Sequence, residues 1–178
     1  MKLMLEILGL ILIAVFAILW VPYIMRTKKF GAPFVPMEPD VVGRVMEIAQ
    51  VKKGDIFYDL GSGDGRLVIA AALRGAKAYG VEIDFLRVLY SRLWVYFLRL
   101  HKNAEIVHQD LFKVNLSKAN IVFLYLLEET NEKLKNKLKK ELKKGTRIVA
   151  TGFPIPGWKL VKIEPKGTIF GPIYLYKR

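Results

Sequence analysis

The sequence predicts an α/β fold with a mostly parallel, doubly wound sheet, preceded by a hydrophobic N-terminal segment. Short apolar runs alternate with helix-length segments, which is typical of βαβ units. The first run, Ile56–Leu60, breaks into a glycine-rich turn before an alanine-rich helix. Two final runs, at about Lys159–Ile163 and Thr168–Tyr176, suit an antiparallel hairpin. With 178 residues, we expect one domain with an appendage.

The N-terminal segment Ile7–Met25 is almost continuously apolar. At about 1.5 Å of rise per residue, such a helix is long enough to span a membrane. A basic cluster of Arg26, Lys28 and Lys29 follows it. The positive-inside rule then places the N-terminus outside and the rest of the chain in the cytoplasm. We therefore predict a single-pass membrane anchor over residues 1–26, with a buried helix of a soluble protein as the alternative.

A proline-containing segment over residues 27–40 joins this span to the domain, which we predict to occupy residues 41–178. Prolines favour extended backbone over helix. The run Pro33-Phe-Val-Pro36 has two interpretations: a linker that packs on the core, or a strap over the ligand site. An amphipathic helix is expected to follow, with Val42 and Val45 on its apolar side.

The glycine turn indicates a nucleotide-binding corner. Strand Ile56–Leu60 leads into Gly61-Ser62-Gly63-Asp64-Gly65, and a helix begins near Arg66. The spacing G-x-G-x-G differs from the dinucleotide pattern G-x-G-x-x-G, and no P-loop is present. Glu82 ends the next apolar run, where such folds place a carboxylate on ribose hydroxyls. The alternative is a tight turn with a solvated carboxylate at a strand end.

The segment from Asp84 to about His101 predicts a helix that is apolar around most of its circumference. Such a helix is either buried or in contact with another hydrophobic surface. Ordinary packing is favoured, while contact with the bilayer, the anchor or a partner stays open.

Three further strands are expected at Glu105–His108, Asn120–Leu127 and Thr146–Thr151. Asp110 follows the first of them, at the edge where open α/β sheets bind ligands, and could meet an adenine or merely cap its loop. A lysine-rich helix opens at Glu128.

Composition excludes several kinds of chemistry. No cysteine is present, so thiolate metal sites and thiol nucleophiles are excluded, and the two histidines lack metal-ligand spacing. We therefore predict no metal. The net charge of +13 suggests acidic partners such as nucleic acid, an anionic membrane or acidic proteins. The lysine run Lys133–Lys144, however, is more typical of a solvated helix face.

Asp59, Gly61, Gly63, Gly65 and Glu82 together resemble the S-adenosylmethionine (SAM) site of seven-strand methyltransferases. With Pro33-Phe-Val-Pro36 and Gly157-Trp158, they resemble a family of small seven-strand protein lysine methyltransferases. That family includes broad-specificity archaeal enzymes and mitochondrial enzymes that act on the ATP synthase c-subunit and the adenine nucleotide carrier. The resemblance implies a Rossmann-like class I fold with seven strands.

The resemblance also implies roles for residues of this chain. The residues expected to bind the cofactor are Asp59, Gly61, Ser62, Gly63, Gly65, Glu82, Asp110 and Leu111. The candidates for the acceptor channel are Phe34, Val35, Pro36, Tyr125, Phe153 and Trp158, the first three also covering the cofactor. No residue is assigned as a catalytic base, because a neutral amine attacks the methyl group in line and needs alignment and desolvation above all.

The function implied is that of a membrane-anchored SAM-dependent methyltransferase acting on lysine side chains of proteins, membrane proteins among them. A phospholipid or small-molecule amine methyltransferase is the main alternative. RNA methylation is less favoured, because we do not expect a nucleic-acid partner for a membrane-anchored chain. A SAM-binding membrane scaffold is the non-enzymatic alternative.

Overall fold

The computed structural model describes residues 34–178 and, before them, Ile7, Gly9, Leu10, Ile11 and Ala14. The chain divides into two compact units, Met1–Val35 and Pro36–Arg178. The sheet and the helices described below all belong to the second unit.

Seven strands form one sheet in the order β3-β2-β1-β4-β5-β7-β6. Neighbours among β1–β5 pair in parallel, whereas β7 runs antiparallel to both β5 and β6. The predicted, mostly parallel α/β sheet with a closing hairpin is therefore confirmed. The strands are β1 (Ile56–Leu60), β2 (Lys77–Glu82), β3 (Ala104–His108), β4 (Ile121–Leu124), β5 (Arg147–Thr151), β6 (Leu160–Thr168) and β7 (Gly171–Lys177).

Helices cover both faces of the sheet. They are α1 (Pro39–Ile48), α2 (Arg66–Leu73), α3 (Phe85–Phe97) and α4 (Glu128–Glu141). Residues of α1, α2 and α3 share a hydrophobic core with Phe57 and Phe123, while Leu134 and Leu138 of α4 share another with Val122 and Leu124. Since successive strand residues point to opposite faces, these two cores lie on opposite sides of the sheet.

The prediction of a membrane-spanning helix as part of this fold is wrong on the present structure. No helix among the described residues is long and apolar enough to cross a membrane. The longest of them, α4, has 14 residues and is rich in lysine and glutamate, whereas a span needs about 20 apolar residues. Most of Ile7–Met25, on which the prediction rested, lies outside the described residues.

Helix α3 differs from the expected ordinary packing. Only Val88, Ser91 and Val95 of this helix are buried. The reason is that α3 lies against β2 and β3 at the edge of the sheet, where one side of the helix is enough to cover the strands. Its other apolar side chains remain exposed.

Candidate cofactor and acceptor site

The glycine loop Gly61–Gly65 joins the end of β1 to the start of α2. The backbone N–H groups of Gly61 and Ser62 donate to the carbonyl oxygen of Val81, at 2.8 and 3.1 Å. Gly65 caps α2 with a φ of +80°, and a Cβ added there would lie 3.1 Å from the Cβ of Ser91. Only glycine fits this position without strain, because it tolerates the left-handed conformation and leaves room for the neighbouring helix.

Glu82, at the end of β2, holds this loop through its carboxylate. One oxygen, Oε2, accepts the backbone N–H of Gly63 at 2.9 Å. The other, Oε1, accepts the N–H groups of Ile83 and Asp84 at 2.8 and 2.9 Å. The side chain is buried, so these charge-assisted bonds are strong. The predicted ribose-binding carboxylate is therefore also a structural support of the glycine loop, and its contact with ribose stays a prediction.

Asp59 lies one residue before the end of β1 and is buried beside Glu82. Burial raises the pKa of Asp59 well above its usual range, and the charges of Glu82 and Asp64 raise it further. Three carboxyl groups thus gather around the glycine loop and create a negative potential there. A cationic ligand is favoured at such a place, and SAM carries a positive sulfonium and a positive amino group.

The glycine loop packs closely against Gly80, and the hydroxyl of Ser62 in this loop lacks a hydrogen-bond partner among the described residues. The Ser62 hydroxyl oxygen is buried and has no hydrogen-bond partner among the described residues. A Cβ added to Gly80 would lie 2.7 Å from that oxygen and 2.8 Å from Cδ1 of Ile106. A buried hydroxyl without a partner is costly unless a water or ligand satisfies it.

Ser91 supports the glycine loop from α3, and sequence reasoning missed it. Its hydroxyl oxygen lies 2.9 Å from the carbonyl oxygen of Gly63 and 2.7 Å from that of Arg87, so its proton is shared between two acceptors. Ser91 is fully buried. The signal available in the sequence was a single serine within an otherwise apolar, aromatic and arginine-bearing helix.

Arg66 connects the glycine loop to the segment before α1. Its guanidinium donates to both carboxylate oxygens of Asp64 and to the carbonyl oxygen of Met37. Pro36 and Met37 belong to the same unit as the glycine loop, whereas Phe34 and Val35 belong to the first unit. The predicted covering role of Phe34, Val35 and Pro36 therefore stays a prediction.

Asp110 forms a turn after β3. Its Oδ1 accepts the backbone N–H of Phe112 at 2.9 Å, which is the loop cap foreseen as one alternative. Leu111 packs against the core on the α4 side of the sheet. Neither contact tests the adenine contacts expected of these two residues.

The acceptor candidates Tyr125 and Phe153 lie just past β4 and β5, at the same edge of the sheet as the glycine loop. A Cβ added to Gly152 would lie 3.3 Å from Cε2 of Tyr125 and 3.2 Å from Cβ of Phe170. Phe170 stacks on Phe153 at 6.4 Å between ring centroids. The structure thus brings Tyr125, Phe153 and Phe170 around Gly152, and Phe170 was not foreseen.

Trp158 does not pack in the same core as Tyr125. It packs with the α4-side core, whereas Tyr125 packs with the core on the other face. The indole N–H of Trp158 has no partner among the described residues.

The described residues fit SAM. The buried Ser62 hydroxyl in the glycine loop is unsatisfied, and the buried carboxyl groups beside the loop favour a cation. The described residues contain no group of His, Asp and Glu that could hold a metal ion. A seven-stranded sheet of this order with this loop defines a Rossmann-like, SAM-dependent methyltransferase.

Comparisons with known proteins agree with the assignment as a methyltransferase. The model of the ANTKMT methyltransferase domain matches residues 59–162. A protein-lysine N-methyltransferase of Saccharolobus islandicus (strain REY15A) is 43% identical over 149 residues, covering 81% of this chain and 92% of that protein. The ATP synthase c-subunit lysine N-methyltransferase of Homo sapiens is 34% identical over 148 residues, covering 83% of this chain and 63% of the human protein.

A solved structure, that of an RNA methyltransferase from Salinibacter ruber in complex with S-adenosyl-L-homocysteine, has a TM-score of 0.76 and 35% identity. The match covers 80% of this chain and 93% of that one. The chain belongs to the ANTKMT methyltransferase family. The predicted family resemblance, the SAM cofactor and the assignment as a SAM-dependent N-methyltransferase are confirmed.

Replacing Ser91 with alanine is expected to weaken SAM binding by up to about tenfold, the worth of one hydrogen bond. The variant loses the bond to the Gly63 carbonyl oxygen while keeping the fold. Calorimetric titration with SAM measures the effect, and Ser117→Ala, in the loop after β3, is the matched control. Equal affinity in Ser91→Ala and wild type would exclude Ser91 as a support of the loop.

Replacing Gly80 with alanine is expected to reduce both stability and SAM affinity, because the new methyl group overlaps Ser62 and Ile106. Overpacking of this kind costs about 1–3 kcal/mol. Gly43→Ala in α1 is the control, since a Cβ there meets nothing within 4 Å. Thermal unfolding and SAM titration of both variants give the comparison, and an unaffected Gly80→Ala would contradict the packing argument.

Proposed function

We propose that this enzyme transfers the methyl group of SAM to lysine side-chain amines of proteins. The observation that carries the proposal is the 43% identity to a protein-lysine N-methyltransferase over 92% of that protein's length. SAM supplies an electrophilic methyl group on a sulfonium. The chain's own residues have to bind the cofactor, align the amine and exclude water.

The aromatic cluster around Gly152 suits a lysine acceptor. A lysine amine must be neutral to attack, and an apolar environment lowers its pKa by disfavouring the charged form. Tyr125, Phe153 and Phe170 supply such an environment at the edge of the sheet where parallel strands end. Burial raises the pKa of Tyr125, an effect that the nearby Thr168 partly offsets, so the phenol is neutral at physiological pH.

A neutral Tyr125 is suited to orient the amine and not to deprotonate it. Its hydroxyl is buried beside Thr168, whose hydrogen bond lowers the pKa of the phenol, and a phenol oxygen has capacity for a further bond to a ligand. Tyr125→Phe is therefore expected to lower kcat about tenfold, through loss of one hydrogen bond, with SAM affinity unchanged. The control is Tyr174→Phe on β7. Steady-state kinetics, with a protein that the wild-type enzyme methylates as substrate, measures kcat for both variants. An unchanged kcat would remove Tyr125 from the acceptor site.

The test of the proposal compares acceptors directly. The full chain is incubated with methyl-labelled SAM and a fractionated cell extract that contains proteins, RNA and lipids, and labelled protein is hydrolysed and analysed for methyl-lysine. Methyl-lysine in protein supports the proposal. Label confined to RNA would overturn it in favour of the activity named for the Salinibacter ruber relative, and label confined to lipid would favour a phospholipid amine acceptor. A Glu82→Gln variant serves as the control for label unrelated to the enzyme.

A further inference from the structure

Helix α3 presents a continuous apolar surface to solvent. Its side chains are between 45% and 72% exposed. We call this surface the α3 face, which consists of Leu86, Leu89, Tyr90, Leu93, Trp94 and Phe97. Monomeric soluble proteins rarely expose so many large apolar side chains together, and contiguous patches of this kind mark interaction sites.

The α3 face has the geometry of a helix that lies in a membrane interface. At about 100° per residue its six side chains cover an arc about 140° wide, opposite the buried Val88, Ser91 and Val95. In the same projection Arg87 lies about 20° beyond one end of the apolar arc and Arg92 about 60° beyond the other, so a cationic side chain flanks each side. An apolar arc bordered by cationic side chains is typical of helices that lie in the plane of a bilayer surface.

The exposed aromatic side chains of α3 also favour a position at a membrane interface. Tyr90 and Trp94 are exposed, and their rings contact each other edge to face at 6.2 Å between centroids. Tyrosine and tryptophan are enriched where a membrane meets water, because one end of each ring is apolar and the other polar. The apolar surface also continues into a cleft of about 410 Å³, whose lining includes Tyr90, Trp94, Val42 and Ile69.

The charged side chains of the α3 segment itself are all cationic and favour an anionic partner, while Asp64 in the adjoining cleft is paired with Arg66. Residues 85–102 contain Arg87, Arg92, Arg99 and Lys102 and no aspartate or glutamate. Arg92 is held in place by its bonds to the carbonyl oxygen of Ile106, at 2.9 and 2.7 Å. Pairing this face with the same face of a second copy would bring like charges together, which disfavours self-association.

We propose that the α3 face docks on the surface of an anionic lipid bilayer, with α3 lying in the plane of the interface and not crossing it. The helix begins at Phe85, three residues after Glu82, and docking therefore brings the cofactor edge of the sheet close to the membrane. The proposal does not depend on which acceptor the enzyme methylates.

Tryptophan fluorescence tests this docking in the full chain. The sequence has three tryptophans, and Trp20→Phe with Trp158→Phe leaves Trp94 as the only emitter. Vesicles of phosphatidylcholine and phosphatidylglycerol, with brominated acyl chains on the phosphatidylcholine, are added to this variant. We expect a blue shift and loss of about half or more of the Trp94 emission, because an interfacial helix inserts about 5–10 Å, within reach of the bromines. Vesicles without phosphatidylglycerol are expected to quench less.

The control is the full chain with Trp20→Phe and Trp94→Phe, in which only Trp158 emits and no quenching is expected. Both variants keep residues 1–33, so any contribution of that segment to vesicle binding is common to them. Adding Leu89→Glu and Leu93→Glu to the Trp94 variant is expected to abolish quenching while SAM binding persists.

Two outcomes would overturn the proposal. One is vesicle binding without quenching of Trp94, because the α3 face would then not contact lipid. The other is protection of Trp94 from acrylamide that grows with protein concentration in the absence of lipid, since a second copy would then cover the face.

Discussion

Replacement of Glu82 by glutamine is expected to reduce SAM affinity by about 100-fold or more, equivalent to about 2.7 kcal/mol. The carboxylate accepts three backbone N–H groups, those of Gly63, Ile83 and Asp84. A glutamine side chain offers one acceptor oxygen, and its amide N–H₂ would face a backbone donor. A buried donor without a partner costs about 1–3 kcal/mol, and loss of a bond to a charged group adds to this.

The control for Glu82→Gln is Glu105→Gln, on the exposed surface of the neighbouring strand β3. Calorimetric titration with SAM gives the affinity of both variants, and circular dichroism establishes that the sheet persists. Affinity of Glu82→Gln within a few-fold of wild type would show that the bonds from Glu82 to the three backbone N–H groups are not needed for SAM binding.

Replacement of Asp59 by asparagine is expected to have opposite effects on SAM binding and on stability. Burial and the charges of Glu82 and Asp64 raise the pKa of this carboxyl above its unfolded value of about 3.9. Stability contributed by Asp59 is therefore present at low pH and is lost as the pH rises from the unfolded pKa through the folded one. At neutral pH, Asp59→Asn removes this cost, and the ligand-free variant is expected to be more stable than the wild type.

Asp59→Asn is expected to weaken SAM binding, which is opposite to its expected effect on stability. A cationic ligand favours the ionised form of Asp59, so wild-type affinity is expected to fall as acidification protonates this carboxyl. The asparagine variant is expected to bind SAM at least about tenfold more weakly at neutral pH and with a flatter pH profile. Titrations across a pH series, with thermal unfolding at each pH, measure both effects. A variant that is destabilised and keeps the wild-type pH profile would contradict this account of Asp59.

Several features could be predicted from local sequence alone. A βαβ unit is a local structure, so about thirty consecutive residues contain all of its signals. They include the glycine turn, the strands around it and the carboxylate at the end of β2. The alternation of apolar runs with helix-length segments predicted the parallel sheet, and the two final apolar runs predicted the closing hairpin. Both patterns are also local. Composition excluded thiol chemistry directly.

Other features depend on residues that are distant along the chain. Ser91 reaches the Gly63 carbonyl oxygen from α3, and Phe170 reaches Phe153 from the turn between β6 and β7. Hydrophobicity of Ile7–Met25 supported a membrane span that no described helix provides, and the apolar stripe of α3 favoured burial that the edge of the sheet does not require.

The sequence by itself determined the α/β fold class and the glycine loop, because strand, turn and helix signals act over a few neighbouring residues, and the resemblance of that loop to known SAM sites indicated the cofactor. Only the tertiary structure decided that Asp59 is buried with a raised pKa, that Glu82 holds the loop through three backbone N–H groups, and that Tyr125 shares its surroundings with Phe153 and Phe170. It also decided that the α3 face is exposed. Burial and contact depend on which elements meet in space, and that is set by the packing of the whole sheet.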